Sequence, residues 1–315
     1  MAQQANQPLP DGHPLEEYVI ERQLSLGGFS IVYLATGPDG KQVAIKEYLP
    51  NSLALRSDGT VMPQVAPENQ AAFRYGMKCF FEEGRSLARL SHPNVIRVLN
   101  FFRANETVYM VMEYEHGRTL QEFIHKHRGN ISERFIRGVF TRLLNGLREV
   151  HAHKLLHLDL KPANIYLRSD NTPVLIDFGA ARQTLASEQP ILKPMYTPGY
   201  ASPEHYGSRK DLGPWSDVYS IGASMYACLA GGAPPAADER MKRDTLQPAM
   251  MRWEGQYSDR LLEIIDWCLN LNHLYRPQSV FALQKALVET AEPPSAPPQK
   301  GWVNRVVDKL WKPIL

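Results

Sequence analysis

One stretch of eight residues constrains the chain more than any other: positions 157–164 read His-Leu-Asp-Leu-Lys-Pro-Ala-Asn. Within it, Asp159 offers a carboxylate that can accept a proton from a hydroxyl group, Lys161 offers a positive charge, and Asn164 offers an amide oxygen. A hard cation such as Mg²⁺ prefers oxygen ligands of that kind. Asp177 begins a second short motif, Asp-Phe-Gly, and would supply a second oxygen ligand. The fold therefore has to bring two separate loops to one site.

A strand-like Val-Ala-Ile-Lys segment ends at Lys46, upstream of both loops. In this order the three motifs resemble those of the eukaryotic-type (Hanks-type) serine/threonine protein kinases, and the segment around Lys46 looks similar to bacterial members. Either loop motif alone would be weak evidence, but their order and separation argue against chance. The resemblance covers about residues 18–290. It implies an α+β, bilobal protein kinase fold with an antiparallel β-sheet and the αC helix in the N-lobe and a mainly α-helical C-lobe.

The resemblance, together with shifts in composition, also divides the chain. The N-terminal residues are polar and rich in proline, and a second proline-rich stretch follows the last expected helix. We expect a disordered leader (1–14), a kinase domain (15–291) made of an N-lobe (15–112), a hinge (113–116) and a C-lobe (117–291), a Pro-rich linker (292–300) and an amphipathic C-terminal helix (301–315).

Composition excludes several other classes of protein. A net charge of +2 over 315 residues is too mild to argue for nucleic-acid binding. Three cysteines lie far apart, which fits reduced thiols in a cytoplasmic protein and argues against a zinc site or a disulfide framework. The most apolar run, 221–237, contains a Gly-Gly and a Pro-Pro pair, so it predicts a buried helix with its terminator and not a membrane span.

Two strands, Tyr18–Leu24 and Ile31–Thr36, flank a turn of small residues. Small residues let backbone N–H groups approach phosphate oxygens. The family pattern is G-x-G-x-F-G-x-V, and here Ser25 and Ser30 replace two of its three glycines. By resemblance, this loop, the next strand and the hinge contact ATP through Leu24, Ser25, Gly27, Gly28, Phe29, Ser30, Val32, Ala44, Lys46, Met112, Glu113, Tyr114 and Glu115.

Lys46 follows three apolar residues on a predicted strand. The resemblance implies that it contacts the α- and β-phosphates and pairs with a carboxylate of the αC helix. Glu82 and Glu83 are both candidates, within a helix that we place over Glu83–His92. We choose Glu83, because an i, i+4 count places it on the face that turns towards the lobe interior.

The connection over residues 48–72 is longer than most kinases carry at this point. Loops of this length are usually functional or disordered. We expect a short extra hairpin or helix here.

The segment from Asp177 to Glu204 is similar to an activation segment and ends in a sequence close to T-x-x-Y-x-A-P-E. Thr197 matches the residue that bridges the base and Lys161 in serine/threonine kinases, which favours Ser/Thr acceptors and a place in the P+1 substrate loop. Two further positions imply structural roles. Glu204 is expected to form a buried ion pair with Arg276, and Asp217 is expected to hold the backbone of the catalytic loop.

A further departure from the family pattern lies in the catalytic loop. Leu158 stands where the family has an arginine that meets a phosphate on the activation loop. We therefore expect a weaker dependence on loop phosphorylation. Thr184 and Ser187 remain candidate autophosphorylation sites, although both hydroxyls would more often be plain solvated loop groups.

The last fifteen residues predict an amphipathic helix. Charged side chains lie on one face, and the other face is apolar, formed by Trp302, Val303, Val306, Val307, Leu310 and Trp311. Periodicity does not distinguish a helix that docks on this chain or a partner from one that lies at a membrane surface. The sequence is therefore compatible with two localisations, purely cytoplasmic or at the inner membrane face.

The leading hypothesis is an ATP- and Mg²⁺-dependent Ser/Thr protein kinase, with Mn²⁺ as an alternative metal, acting on protein substrates and on itself in signalling. By resemblance, Asp159 is the base, Lys161, Lys46 and Glu83 complete the catalytic set, and Asn164 and Asp177 hold the metal. A pseudokinase that serves as a nucleotide-binding scaffold is the alternative, supported by the serine-substituted loop and by Leu158.

A small-molecule kinase of related fold is disfavoured by Thr197 and the complete helical lobe, which build a peptide-docking surface. Bacterial members of the family often work opposite a PP2C-type phosphatase, so such a phosphatase is an expected partner. No nucleic-acid partner is expected.

Overall fold

The computed structural model describes residues 6–178, 196–207 and 209–289. The first part forms a lobe built on strands, and the rest is mainly helical. The N-terminal strands are Pro14–Leu15 (β1), Tyr18–Leu26 (β2), Ser30–Thr36 (β3), Gln42–Tyr48 (β4), Ala54–Leu55 (β5), Gln64–Val65 (β6), Val98–Ala104 (β7) and Thr107–Glu113 (β8). Six of them form one antiparallel sheet in the spatial order β1-β2-β3-β4-β8-β7.

Helix α1 (Gln70–Leu87) packs against β7 and β8 and closes the core of this lobe. Its buried face includes Phe73, Phe80 and Leu87, which recur at helical spacing. Sequence analysis placed this helix at Glu83–His92, and that placement is wrong in both bounds. The helix starts earlier, after a 3₁₀ turn that begins at Pro67, and it ends before the Ser-His-Pro sequence, because proline disfavours helical backbone at the residue before it.

The connection between β4 and α1 contains the predicted extra hairpin. Strands β5 and β6 pair in antiparallel register, Ala54 with Val65 and Leu55 with Gln64. The backbone N–H of Asn51 donates to Gly28, and that of Leu49 donates to Phe29, so the start of this connection is bonded to the small-residue turn between β2 and β3.

The predicted disordered leader is wrong for residues 6–14. Leu9 is 1% exposed, and the Asn6 side chain donates to the Leu49 and Ala54 carbonyls at 3.4 and 3.2 Å. A polar, proline-rich composition does not exclude order when each polar group finds a partner on a folded lobe.

The C-terminal lobe contains the helices Leu120–Lys126 (α2), Glu133–Ala152 (α3), Pro214–Ala230 (α4), Ala237–Lys242 (α5), Ala249–Arg252 (α6), Asp259–Cys268 (α7) and Val280–Val288 (α8). A small antiparallel sheet joins Gly117–Thr119 (β9), Ile165–Arg168 (β10) and Pro173–Leu175 (β11) in the order β11-β10-β9. The α+β class with a strand-based N-lobe and a helical C-lobe, predicted from the sequence, is therefore confirmed.

Two helices show how the sequence builds this lobe. Helix α3 begins at a capping serine, since the Ser132 hydroxyl accepts from the Phe135 amide at 3.3 Å, and its apolar side chains at helical spacing are buried in the core. Helix α4 is buried on nearly all sides and passes through the middle of the lobe. Among the described residues, no helix combines the length and the apolar character needed to cross a bilayer.

Candidate active site

The catalytic loop is held by one buried carboxylate at the start of α4. Asp217 accepts hydrogen bonds from the backbone N–H of His157 at 2.9 Å and of Leu158 at 2.8 Å. Leu158 has a φ of 62°, a left-handed conformation that is unfavourable for a residue with a Cβ atom. The contact predicted for Asp217 is thus present, and it stabilises a strained backbone directly before Asp159.

The charge of Asp217 is maintained although its side chain has 0% exposure. Burial opposes ionisation, but the hydrogen bonds from His151 Nε2 at 2.7 Å and from the backbone N–H of His157 keep the pKa of Asp217 below its usual range. A charged acceptor forms stronger hydrogen bonds than a neutral one, which suits its role as an anchor for two amides.

Three side chains meet at Asp159. One carboxylate oxygen accepts from the Thr197 hydroxyl at 2.9 Å, and the other accepts from Lys161 Nζ at 2.7 Å and from Asn164 Nδ2 at 3.1 Å. Lys161 Nζ also donates to the Thr197 hydroxyl at 2.8 Å. The end of the activation segment is thus bonded to the catalytic loop through groups that the sequence singled out.

Asn164 and Asp177 fit a divalent cation. Asn164 uses its Nδ2 group to donate to Asp159, which leaves its amide oxygen as the free ligand atom, and its backbone carbonyl accepts from Ile176, just before Asp177. The Asp177 side chain is 44% exposed and can reach a ligand. Two oxygen ligands from the protein suit Mg²⁺, which usually takes its remaining ligands from water and phosphate. Within the described ranges, no group of three or more His, Cys, Asp or Glu side chains is arranged to hold a metal ion.

Lys46 connects this loop to the N-lobe. It lies on β4, is 6% exposed, and its Nζ contacts an Asp177 carboxylate oxygen at 2.5 Å. Glu83 is 3% exposed on the buried face of α1, whereas the Glu82 side chain is 45% exposed and lies 3.8 Å from Arg85. Glu83 is therefore the inward-facing residue of the two; its pairing with Lys46 remains a prediction.

Phe178 and His157 pack as two buried rings whose centroids are 4.4 Å apart. This contact joins the two motifs directly, since one ring belongs to Asp-Phe-Gly and the other precedes Asp159. Burial also lowers the pKa of His157, so the ring is neutral and packs as an aromatic group.

The residues proposed to contact ATP lie on strands β2, β3, β4 and β8 of the N-terminal lobe, in the turn between β2 and β3, and in the hinge that follows β8. Within the sheet, Val32 pairs with Lys46 across β3 and β4, and Ala44 pairs with Met112 across β4 and β8. In the small-residue turn, the Gly27 N–H donates to the Ser30 carbonyl at 2.9 Å. The turn is exposed from Ser25 to Gly28, while Leu24, Phe29 and Ser30 are half-buried.

The hinge residues Glu113, Tyr114 and Glu115 are half-buried. The carboxylate of Glu115 is bound by Arg168 on β10, at 2.7 Å from Nε and 2.5 Å from Nη2. Its backbone therefore remains the part of Glu115 that can serve a nucleotide base, as the sequence resemblance implied.

The predicted ion pair of Glu204 and Arg276 is present. The two side chains are 3.0 Å apart with exposures of 4% and 0%. Burial lowers the pKa of the Arg276 guanidinium, and Glu204 opposes that shift. This pair bonds the last residue of the activation segment to the C-terminal lobe, and loss of either partner would leave a buried charge without compensation. Thr184, Ser187 and Gly179 lie outside the described residues.

Sequence reasoning missed His205, which contacts the catalytic loop from the far end of the activation segment. Its Nε2 lies 3.0 Å from the Leu158 carbonyl, and its Nδ1 lies 2.9 Å from the Ser202 hydroxyl. The Ser202 N–H also donates to Nδ1 at 3.2 Å, so the ring carries its proton on Nε2 and donates it to Leu158. The serine that replaces the family's alanine at 202 was the available signal.

A buried ionic cluster behind β4 was also missed. Glu47 and Arg56 both have side chains with 0% exposure and are bonded at 2.6 and 2.8 Å. The hydroxyls of Tyr33 and Tyr109 donate to Glu47 at 2.7 Å each, and burial followed by the charge of Glu47 raises the pKa of both tyrosines. Arg56 Nε reaches the Gln7 carbonyl at 2.8 Å, so the cluster joins the leader, the extra hairpin and the sheet.

Comparison with known proteins adds to this geometry. A family model described as a protein kinase domain matches residues 18–288. A solved structure titled "PpkA-294 apo form" is similar to this chain with a TM-score of 0.78 and 33% identity, over 89% of this chain and 99% of that one.

Curated relatives include the human serine/threonine-protein kinase Nek2, 32% identical over 74% of this chain and 55% of the relative. Serine/threonine-protein kinase B of a Synechocystis strain is 31% identical over 72% of this chain and 41% of the relative. The chain thus spans about half the length, or less, of these curated relatives.

Proposed function

The chain belongs to the protein kinase family, and on that premise we propose that it transfers the γ-phosphate of ATP to serine and threonine hydroxyls of proteins, including its own. The hydrogen-bonded group of Asp159, Lys161, Thr197 and Asn164 is the observation that carries this proposal. The Asp159 carboxylate already accepts a hydrogen bond from a hydroxyl group, at 2.9 Å from Thr197. The same contact is required of an acceptor hydroxyl before its attack.

In this mechanism, the residues mainly position the reactants and compensate charge. Asp159 orients the acceptor hydroxyl and takes its proton, and Lys161 lies at 2.7 Å from the same carboxylate, where its positive charge stabilises negative charge on the transferred group. Lys46 supplies the corresponding charge from the N-lobe. ATP bound with a divalent metal supplies the phosphoryl group and its electrophilic phosphorus. Positioning and electrostatics suffice because the transition state of phosphoryl transfer is loose.

Mg²⁺ is the proposed metal, with Mn²⁺ as a weaker alternative. Its proposed ligands are the amide oxygen of Asn164 and the carboxylate of Asp177, a hard oxygen set that also suits Mn²⁺. Serine/threonine specificity is proposed because Thr197 and Lys161 contact each other beside the base.

The test is phosphate transfer from labelled ATP and Mg²⁺ to the protein itself and to a basic protein substrate. We expect label on serine or threonine in the wild type and at least about a hundredfold less in Asp159→Asn, since removal of a general base typically costs that factor or more. Asp170→Asn is the matched control, because Asp170 is an exposed carboxylate that caps the turn between β10 and β11.

ATP binding without any transfer would instead favour the pseudokinase, for which Ser25 and Ser30 in place of two family glycines are the supporting observation. Equal transfer by Asp159→Asn and the wild type would contradict the assigned base. Mapping of labelled peptides would show whether Thr184 or Ser187 is modified.

A PP2C-type phosphatase is proposed as an opposing partner on the basis of the resemblance to bacterial kinases. The protein is proposed to be cytoplasmic, and its C-terminal segment 301–315 is proposed to contact either a partner protein or the inner face of the membrane. Co-sedimentation of the full chain and of a chain ending at residue 291 with anionic vesicles tests the membrane proposal. Equal sedimentation of both would contradict it.

A further inference from the structure

A cavity of about 310 Å³ opens between the end of α4 and the segment 245–252. Its wall combines Tyr226, the turn residues Gly232 and Ala233, and the polar side chains of Thr245, Gln247 and Arg252. None of the predicted site residues lines it. The mechanism described above therefore leaves it without a role.

The cavity adjoins the end of the activation segment. A Cβ atom at Gly199 would lie 2.8 Å from the Cβ of Ala233 and 2.8 Å from the carbonyl oxygen of Pro234, so the backbone at position 199 packs directly on the turn that lines the cavity. Thr197, two residues earlier, is bonded to Asp159. A peptide whose hydroxyl reaches Asp159 would therefore pass close to this cavity.

Arg252 is the charged group in the wall, and two aromatic residues hold it. Its Nη1 donates to the Tyr226 hydroxyl at 2.7 Å, and its guanidinium carbon lies 4.7 Å from the centroid of the Trp253 ring. Tyr226 and Trp253 are 2% and 7% exposed, so the platform is rigid. A guanidinium fixed in this way loses little side-chain freedom when it binds a ligand.

The charge of Arg252 is not balanced within the described ranges, where no carboxylate lies within 4 Å of it. Arg56, Arg240 and Arg276, whose guanidinium groups are buried, each form an ion pair there, with Glu47, Asp244 and Glu204. Arg252 is exposed, and its guanidinium donates to the Tyr226 hydroxyl. Since its guanidinium carries five N–H donors, Arg252 has donors still available for an anionic partner.

We propose that this cavity is a specificity subsite that binds an aspartate or glutamate side chain of the protein substrate, close in sequence to the phosphorylated residue. Arg252 would bind the carboxylate through two parallel N–H groups, and Thr245 and Gln247 offer further hydrogen bonds. The inference rests on the proposed function, which it deepens by naming a substrate class: acidic sequences around the acceptor serine or threonine.

The test measures kcat/KM of the full chain for a serine peptide of neutral residues, into which a single Asp, Asn, Lys or phosphoserine is placed at each position near the acceptor. We expect one position where Asp exceeds its isostere Asn by about tenfold, the gain of a hydrogen-bonded charge pair. Arg252→Gln should reduce that ratio to about one. Arg243→Gln, an exposed arginine of the same lobe, is the matched control and should keep the ratio.

Tyr226→Phe provides a second variant, since it removes only the hydroxyl that orients Arg252 and should lower the ratio several-fold. The proposal would be overturned if Asp raised kcat/KM at no position, or if its advantage over Asn survived Arg252→Gln. A higher kcat/KM with phosphoserine than with Asp at the selected position would overturn it as well. These outcomes concern peptide choice. A wild-type chain that labels neither itself nor any peptide would contradict the proposed kinase function instead.

Discussion

Leu158 is a departure from the family pattern, and the structure shows what holds its backbone. Asp217 accepts from its N–H, and His205 donates to its carbonyl. Neither of these hydrogen bonds requires a phosphorylated residue. The His205 contact connects the far end of the activation segment to the residue before Asp159 by a direct hydrogen bond. That this chain depends less on loop phosphorylation stays a prediction.

His205 is therefore predicted to be a positioning residue for Asp159. His205→Leu removes the donor to the Leu158 carbonyl, and we expect kcat to fall about tenfold while KM for ATP changes little, because the nucleotide lies on the other side of the site. His205→Gln offers an amide N–H in the same direction and should restore most of kcat. Steady-state kinetics of both variants test this prediction. Equal losses of kcat in the two variants would show that the packing volume of the His205 ring is required and that its hydrogen bond to Leu158 is not.

The pH dependence of stability gives His205 an independent readout. Burial lowers its pKa, while Asp217 and Glu204, the carboxylates that face it, oppose that shift. The unfolded state therefore takes up the proton first, so this contribution is complete above about pH 6.5 and decreases as the pH falls towards the folded pKa. Urea unfolding at pH 7.5 and 5.5 should show a smaller loss for His205→Gln than for the wild type.

At this scale, residues that belong to short motifs could be predicted and isolated ones could not. Asp159, Lys161 and Asn164 lie in one short loop, so their residue types and spacing already place them together. The position of Thr197 beside them was predicted from the motif at the end of the activation segment. His205 meets Leu158 across 47 residues, and Arg56 meets Tyr33 across 23. No periodicity links such pairs, because only the finished fold brings them into contact.

At the scale of elements, the extra hairpin has a structural role that its sequence did not reveal. Arg56, next to β5, inserts its guanidinium behind β4, where Glu47 is the neighbour of Lys46 along the chain. Alternation in a strand turns Lys46 towards the site and Glu47 to the opposite face. The hairpin and residues 6–9 thus support the back of the strand that carries Lys46.

Removal of Arg56 should therefore destabilise the protein strongly. Arg56→Met leaves the Glu47 charge buried without its cation, and loss of one partner of a buried pair costs about 3 kcal/mol or more in free energy of unfolding. The double variant Glu47→Gln with Arg56→Met should recover part of this loss, since no charge remains buried. Urea unfolding measures both, and Arg22→Met, an exposed arginine of β2, is the control. A loss below about 1 kcal/mol would show that the cluster is not the anchor of the hairpin.

Over the whole molecule, the order of the two lobes was implied by the resemblance of the short motifs to those of protein kinases, and the strands and helices of the structure follow that order. The ordered course of residues 6–14 was not predictable, since their contacts are made by polar groups and isolated side chains such as Leu9. The contact of Lys46 with Asp177 spans 131 residues and joins the sheet of one lobe to the loop of the other. Nucleotide binding is therefore expected to depend on both lobes together.

Thermal unfolding with and without Mg²⁺ and ATP tests this dependence. A ligand at a hundred times its Kd stabilises the folded state by about 2.7 kcal/mol, which should raise the Tm of the wild type measurably. Lys46→Met and Asp177→Asn each remove one of the two groups that are assigned to the phosphates and the metal, so both should lose most of that shift. Asp159→Asn should retain it, because Asp159 is assigned to the acceptor hydroxyl. If Asp159→Asn lost the shift as completely as Asp177→Asn, the assigned division between a nucleotide side and an acceptor side of the site would be wrong.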